Sequence, residues 1–485
     1  MKKLLSLIAV TAIVLSTFLY FPPKASEKST YIRKIVSLVY DDSGSMKGEK
    51  WAYANYAVQS FCGMLNSEDQ LYITYMSRAQ LNPDYKPEEV DLSSGGIQES
   101  VDTLRTHIEN KDTPFKSVEL AYNKLTEIEC EDENAQYWLV VITDGVFDEI
   151  YYESDDNVKK NYLNEKFQNF AKKPMPNGSR VQTTFLSIGT SVASPDQNES
   201  LGIFTYNAEN ADGIIDAMSS LAHKVSGRTR VESGDIEQTE ENAIRITTSL
   251  PLLNIAVVSQ KTDAVIKKVE DSKGKKVPVT REVSVSYEGY FDLTGKTYLI
   301  GDSKKILEAG TYEIYFDKKT DTENLVIMLE PALEIKIFVD SEGKTYEKIS
   351  DIEKMTNGEK ITASYKVYKI GEDEEFPLAE LSENTDFNIV LYEDGTEVLS
   401  SSGQDMTLEE YTLTEKEVRI KAAIEIEGFN PIGSKITFVP KKYGSGDEFS
   451  IKGEFLNDKK VLNTAVFPPT KIWEYALRYT KTESL

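Results

Sequence analysis

The chain has 485 residues, too many for a single hydrophobic core, and its 40% hydrophobic and 10% aromatic content suits two to four packed domains rather than disorder. The formal net charge of −25 argues against DNA or RNA as a partner and against adsorption to an anionic membrane face, because both need a basic patch. It is consistent with a soluble protein outside the cell.

In chain order, Lys2 and Lys3 precede an uncharged apolar stretch at residues 4–21, and Pro22, Pro23, Lys24, Ala25 and Ser26 follow. This is the layout of a secretory signal. The stretch is also nearly long enough to span a bilayer, so residues 1–26 are read as a signal peptide or an N-terminal membrane anchor. Either way the remainder is exported, to the extracellular space or the cell surface. No Cys follows the apolar stretch, and neither a second spanning segment nor a wall-sorting tail is expected. Cys62 and Cys130 can pair outside the cytosol or act as buried small hydrophobes. With His107 and His223 the only histidines, they do not suggest a zinc site.

Residues 31–226 alternate strand and helix. Residues 35–40 are an apolar strand, and residues 51–65 a helix with Ala54, Ala57, Val58 and Phe61 on one face. Residues 71–76 read as a strand, 83–96 as a polar irregular stretch with an edge strand at Val90, Asp91 and Leu92, and 97–108 as a helix. Thr113 suits an N-cap and Pro114 a first helical position, ahead of Val118, Ala121, Tyr122 and Leu125 facing inward. Residues 137–143 are apolar up to Thr143, as in a parallel strand buried on both faces. A helix at 158–171, strands at 182–188 and 202–205, and a final helix at 211–225 complete the pattern. The fold class expected is α/β: a doubly wound, mostly parallel sheet with helices on both faces.

After Gly227 helical periodicity gives way to short β-rich runs separated by turn residues. These read as two β-sandwich, immunoglobulin-like domains at 235–330 and 333–440. Gly444, Ser445 and Gly446 read as a linker, and 447–485 as a C-terminal β segment that completes the second sandwich or begins a further module.

Ligands of parallel α/β sheets bind beyond the carboxyl ends of the strands. Two strands here end in oxygen-rich turns, one with Asp41, Ser43 and Ser45, the other with Thr143, Asp144 and Gly145; a helix-connecting loop adds Asp112 and Thr113. This set resembles the von Willebrand factor type A domain, also used by integrin inserted domains. The metal-ion-dependent adhesion site of that family reads Asp-x-Ser-x-Ser, then a Thr, then an Asp. Asp41-Asp42-Ser43-Gly44-Ser45 followed by Met46 matches the first part, and Val140-Val141-Ile142-Thr143-Asp144-Gly145 the last. The Thr is matched by Thr113, although Asp112 stands where many relatives carry glycine.

The resemblance implies a metal site formed by Asp41, Ser43, Ser45, Thr113 and Asp144. Three neutral hydroxyls and two carboxylates make a small, hard, lightly charged donor set. Mg²⁺ is the expected cation; Mn²⁺ fits equally well and Ca²⁺ is the alternative. A cation held this way stays electrophilic toward an outside oxygen, so the expected partner is a protein offering an Asp or Glu carboxylate. Asp42, Asp112 and Asp148 are read as solvated loop acids, and Phe147 as either a partner contact or core. Neither histidine falls in a loop at the metal end, and no hydrolase motif is present. The expectation is therefore binding rather than catalysis. A structural envelope scaffold with a fold-stabilising cation is the alternative, and a metal-dependent hydrolase is the third reading.

Overall fold

The structure is a computed structural model. It describes residues 32–442, except 83, 107–111, 131–134, 146, 190–192, 290–292, 302–304, 382–383 and 404–405, together with the backbone of strands Phe449–Asn457 and Lys460–Phe467. The expected signal or anchor at 1–26, His107, the 444–446 linker and residues 470–485 lie outside the described residues.

Six strands form the first sheet: β1 (Lys34–Tyr40), β2 (Gln70–Tyr75), β3 (Glu88–Val90), β4 (Gln136–Thr143), β5 (Gln182–Ile188) and β6 (Ile203–Ala208). Their spatial order is β3-β2-β1-β4-β5-β6. All neighbours are parallel except β3, which runs antiparallel to β2. The helices are α1 (Glu49–Met64), α2 (Met76–Leu81), α3 (Ile97–Thr106), α4 (Lys116–Glu127), α5 (Asp156–Lys172) and α6 (Ala211–Ser226). Strand period 2 divides the apolar run of β1 between two cores. Val36, Leu38 and Tyr40 join α1, α3 and α6 on one face, whereas Ile35 and Val39 join α4 and α5 on the other. The sheet is doubly wound, as the unbroken apolar run of β4 indicates.

Two local features depart from the expectation. Helix α2 begins at Met76, directly after β2, whereas the sequence reads Met76 as the last residue of the strand and gives 77–81 no element. Its first turn is seated by the buried Asp42, whose carboxylate accepts from Ser77 N at 2.9 Å and from the Ser77 hydroxyl. That partner is 35 residues away, so local propensity does not reveal it. Helix α4 begins at Lys116 rather than at Thr113, and its N-cap residue is Phe115.

Antiparallel sheets follow. One pair packs face to face around a core that includes Ile246, Val257, Tyr298, Ile314 and Ile327. Its first sheet runs Val279–Ser286, Thr294–Ile300, Leu252–Gln260, Leu325–Pro331, Thr229–Arg230 in spatial order. Its second runs Lys276–Val277, Ile266–Asp271, Gly310–Phe316, Ala243–Thr248, Glu237–Glu240. The next pair consists of Lys344–Tyr346, Leu333–Ser341, Lys360–Lys369, Tyr411–Thr412 against Thr396–Ser402, Asp386–Glu393, Val418–Glu425, Ile432–Phe438. In Leu333–Ser341 buried residues alternate with partly exposed ones, as half-buried strands require. Phe449–Asn457 and Lys460–Phe467 form a hairpin.

The change of texture after Gly227 is not a break in packing. Ala256, Val258, Val283, Val285, Val326 and Met328 belong to the same core as α1, α3 and α6. A Cβ on Gly63 of α1 would lie 3.0 Å from the Thr297 Cβ, so a side chain there would crowd helix against strand. Two glutamines complete the backbone of the edge strand Val279–Ser286. Gln59 donates to Ser286 O (2.9 Å) and accepts from Ser286 N (3.2 Å); Gln98 does the same at Ser284, at 3.1 and 2.9 Å. An edge that would otherwise offer itself to another chain is thus occupied. Below this contact, buried Glu330 meets Lys34 Nζ at 2.6 Å and Arg228 at 3.1 Å, and Asn254 donates to it at 2.6 Å. Burial pushes the Glu330 carboxyl up, but the Lys34 and Arg228 charges and these hydrogen bonds outweigh it and hold it below the usual carboxylate range.

Candidate cation site at the carboxyl edge of the sheet

Strands β1 and β4 are neighbours, with Tyr40 in register with Ile142, so the turns that follow them emerge side by side. Asp41 joins the two turns. Its N–H donates to Ile142 O at 3.1 Å. One carboxylate oxygen accepts from Ser43 N (2.9 Å), the other from the Thr143 hydroxyl (2.6 Å) and Asp144 N (3.4 Å). Asp41 is fully buried. Burial pushes its carboxyl up to about 6, against the hydrogen bonds from Ser43 and Thr143, and the neighbouring Asp144 charge adds to the rise. The folded loop thus holds a carboxylate that water does not solvate and that the turns themselves hydrogen-bond.

Asp144 completes the first half of the site. Ser45 Oγ donates to its Oδ1 at 2.6 Å and lies 3.0 Å from Ser43 Oγ. Lys50, in the first turn of α1, places Nζ 2.6 Å from Asp144 Oδ2. The Asp144 side chain is wholly covered, whereas that of Lys50 is 42% exposed, so the ammonium forms the outer wall.

Thr113 reaches the site from a different loop. It does not cap α4. Its N–H donates to Asp148 at 3.2 Å, its carbonyl accepts from Asp148 N at 3.0 Å, and Phe115 N is held by the Glu149 carboxylate at 2.9 and 3.1 Å. The helical turn Asp148–Ile150 therefore straps the Thr113 loop in place. A Cβ on Gly145 would lie 3.8 Å from Thr113 Oγ1 and 3.9 Å from Ser45 Oγ. The two hydroxyls thus flank the space that glycine leaves open. All five residues singled out from the sequence converge on this edge.

Two residues of the arrangement, Lys50 and Glu149, were not singled out, and Asp148, read as a solvated loop acid, is exposed but straps Thr113. The spacing of Asp148 and Glu149, just past the Asp144-Gly145 turn, is the signal that could have found them. Other readings are corrected. Asp42 is not a solvated acid but a fully buried seat for α2. Phe147 is 1% exposed and packs edge-on against Phe115 with ring centroids 5.0 Å apart, so it belongs to the core. Asp112 stays exposed and accepts from Gln80. Cys62 and Cys130 are both free thiols; burial pushes that of Cys62 up to about 12.

Among the described residues no three His, Cys, Asp or Glu side chains cluster as metal ligands. Two carboxylates and three hydroxyls on one rigid edge are nonetheless the oxygen donors a hard cation takes, and in donor chemistry they fit the group that the family resemblance implies.

No protein-family model matches the chain, and no curated protein sequence matches it. Solved structures do show similarity. A von Willebrand factor type A protein from Catenulispora acidiphila is 10% identical, with a TM-score of 0.30, over 71% of this chain and 65% of its own. The pilus adhesin SpaC from Lactobacillus rhamnosus GG, in an open conformation, is 10% identical with a TM-score of 0.28, over 90% and 68%. The minor pilin PilB from Streptococcus sanguinis is 11% identical with a TM-score of 0.26, over 42% and 62%. The chain thus spans about two thirds of the length of these proteins.

Proposed function

We propose that the chain is an exported protein-binding protein of the adhesion type, in which the α/β layer holds a divalent cation and recognises a carboxylate on a protein partner. The observation that supports this most is the convergence of the Ser43, Ser45 and Thr113 hydroxyls with Asp41 and Asp144 at the carboxyl edge of the sheet. Asp41 and Asp144 would supply the charge, directly or through water; the hydroxyls would coordinate without adding any. When bound, the ion supplies an electrophilic position for an outside oxygen. The protein's part is to hold the donors still: Asp41 ties the first and last turns together, and Asp148 and Glu149 fix the loop of Thr113. Lys50 competes with the ion for Asp144.

We favour binding over turnover because the sequence carries no hydrolase motif, and because among the described residues the acid and base groups beside the donors, Asp148 and Lys50, are engaged in holding Thr113 and Asp144. His223 hydrogen-bonds Asn430 and lines a cavity with Gln136 and Gln182, the first residues of β4 and β5, at the opposite end of the sheet. Export rests on the basic and apolar N-terminal segment alone. Among the described residues no helix is long and apolar enough to cross a membrane.

The test is Mg²⁺ titration of the full chain followed by calorimetry and melting temperature, with Asp41→Ala as control. Selection of a displayed peptide library in Mg²⁺, with elution by EDTA, then reads the partner chemistry. The reading expects one bound ion and selected peptides carrying Asp or Glu. No bound ion would overturn it. An ion whose removal lowers stability but leaves peptide binding intact would instead make the protein a scaffold with a structural cation.

A further inference from the structure

At the amino ends of the same strands, between the α/β layer and the second sandwich, lies a cavity of about 840 Å³. In a chain of net charge −25 its wall carries more Lys and Arg than Glu, the acids being Glu199, Glu330, Glu334 and Glu425. Arg419 and Lys421 project from the same face of strand Val418–Glu425, two residues apart. Lys421 stands directly opposite Lys435 of the neighbouring antiparallel strand. Like charges in that position repel and destabilise a sheet. Lys224 of α6 and Arg180, just before β5, line the cavity from the α/β side.

These charges are poorly compensated. Lys224, Lys421 and Lys435 make no ion pair among the described residues. Arg419 is 6% exposed; its Nε donates to Thr437 at 3.3 Å and one terminal nitrogen to Glu417 at 2.8 Å. Its other terminal nitrogen is buried with no hydrogen-bond partner. The Lys435 ammonium is pushed down to about 8 by burial, and by Arg419, Lys421, Arg180 and Lys224 around it. Burial lowers Lys224 as well, Lys421 adding to the effect and Glu199 opposing it. The buried acid of this region, Glu330, is already matched by Lys34 and Arg228.

Crowded like charges repel even when partly solvated, and here one buried and four half-buried cations share one hollow. A ligand that brings negative charge removes the repulsion. The volume of the cavity and the spread of its cations over two layers suit more than one anionic group, and ammonium and guanidinium groups both bind the oxygens of tetrahedral phosphate or sulfate. We propose that this cavity is a binding site for a compact polyanion carrying two or more phosphate or sulfate groups, gripped by Arg419, Lys421 and Lys435 on one side and Lys224 and Arg180 on the other.

The site is separate from the cation site and is tested without metal. The full chain in EDTA is titrated calorimetrically with tripolyphosphate and with a sulfated disaccharide, each at ionic strength matched with NaCl. One equivalent of either is expected to bind, and which of them binds tells a phosphate ligand from a sulfate one. The Lys421→Gln, Lys435→Gln double variant is expected to bind at least about tenfold more weakly, as loss of two charge-assisted contacts implies. Without anion it is expected to melt no lower than the parent, because the repelling pair is gone; a melting scan thereby shows that it folds. Asp41→Ala is expected to bind the polyanion as the parent does. Failure of both probes to bind, or equal binding by the folded double variant, would overturn the proposal. Loss of binding in Asp41→Ala would overturn its independence from the cation site.

Discussion

The two ends of the parallel sheet solve opposite electrostatic problems in opposite ways. At the carboxyl end, Asp41 and Asp144 are saturated by neighbours: serine and threonine hydroxyls, backbone N–H groups and the tethered ammonium of Lys50. At the amino end, Lys421 faces Lys435, and an Arg419 donor is buried without an acceptor. The first end is assembled before any ligand arrives; the second carries a charge debt that its own residues do not settle. A site of the first kind gains selectivity from rigid geometry. A site of the second kind gains affinity from relieved repulsion, and its emptiness should register as lost stability.

The contrast can be broken most forcefully at Glu330, the acid that keeps the amino end from being worse. Glu330→Ala removes the carboxylate that buried Lys34 and Arg228 share and should cost on the order of 3–5 kcal/mol in urea denaturation. At the other end, Mg²⁺ at a hundredfold excess over its dissociation constant should stabilise the parent by about 2.7 kcal/mol. Asp41→Ala should show no such shift in melting temperature. Lys50→Met removes the competing ammonium. The pair is partly exposed, so the gain in Mg²⁺ affinity by calorimetry should correspond to about 0.2–1 kcal/mol, at most a few-fold.

The smallest effect concerns pH. The Lys435 ammonium titrates near 8 in the fold against 10.5 ordinarily, so the unfolded chain holds the extra proton between those values. Without anion, stability should therefore rise as pH climbs from about 8 toward 10.5. The rise should be absent in Lys435→Met. Arg419, Lys421, Arg180 and Lys224 face this group, with Glu199 beside Lys224.

What could be read from the sequence follows the range of the interactions. The apolar runs of β1 and β4 announce buried parallel strands because burial on both faces leaves no room for polar alternation. Asp41, Ser43, Ser45 and Asp144 were legible because they end those strands. Thr113 was legible only as one of two things, cap or donor. The cap is ruled out by Asp148, 35 residues beyond Thr113, and by Glu149, 34 beyond Phe115. Asp42 misled for the same reason: its partner Ser77 is remote, so a buried acid looked like a loop acid. The basic cavity was hidden twice. Net charge sums over the whole surface, and the Lys421–Lys435 pairing exists only in the register of two strands. The shared core of α1 and strand Val279–Ser286 was equally invisible, since Gln59 and Gln98 look like ordinary exposed helix residues until a strand edge meets them.

The junction after α6 has a mechanical consequence. Strand Thr229–Arg230 adds to the sandwich sheet beside Met328 and Leu329, and Arg228 just before it is locked to Glu330, Asn254 and Met64 O. Asn430 of the second sandwich grips the same turn through Thr229 and the Arg228 carbonyl. Tension applied to the C-terminal sandwiches is therefore not taken up by a slack tether. It is delivered as shear to a buried ionic clamp at the foot of α6, with the candidate cation site at the far end of the same rigid layer.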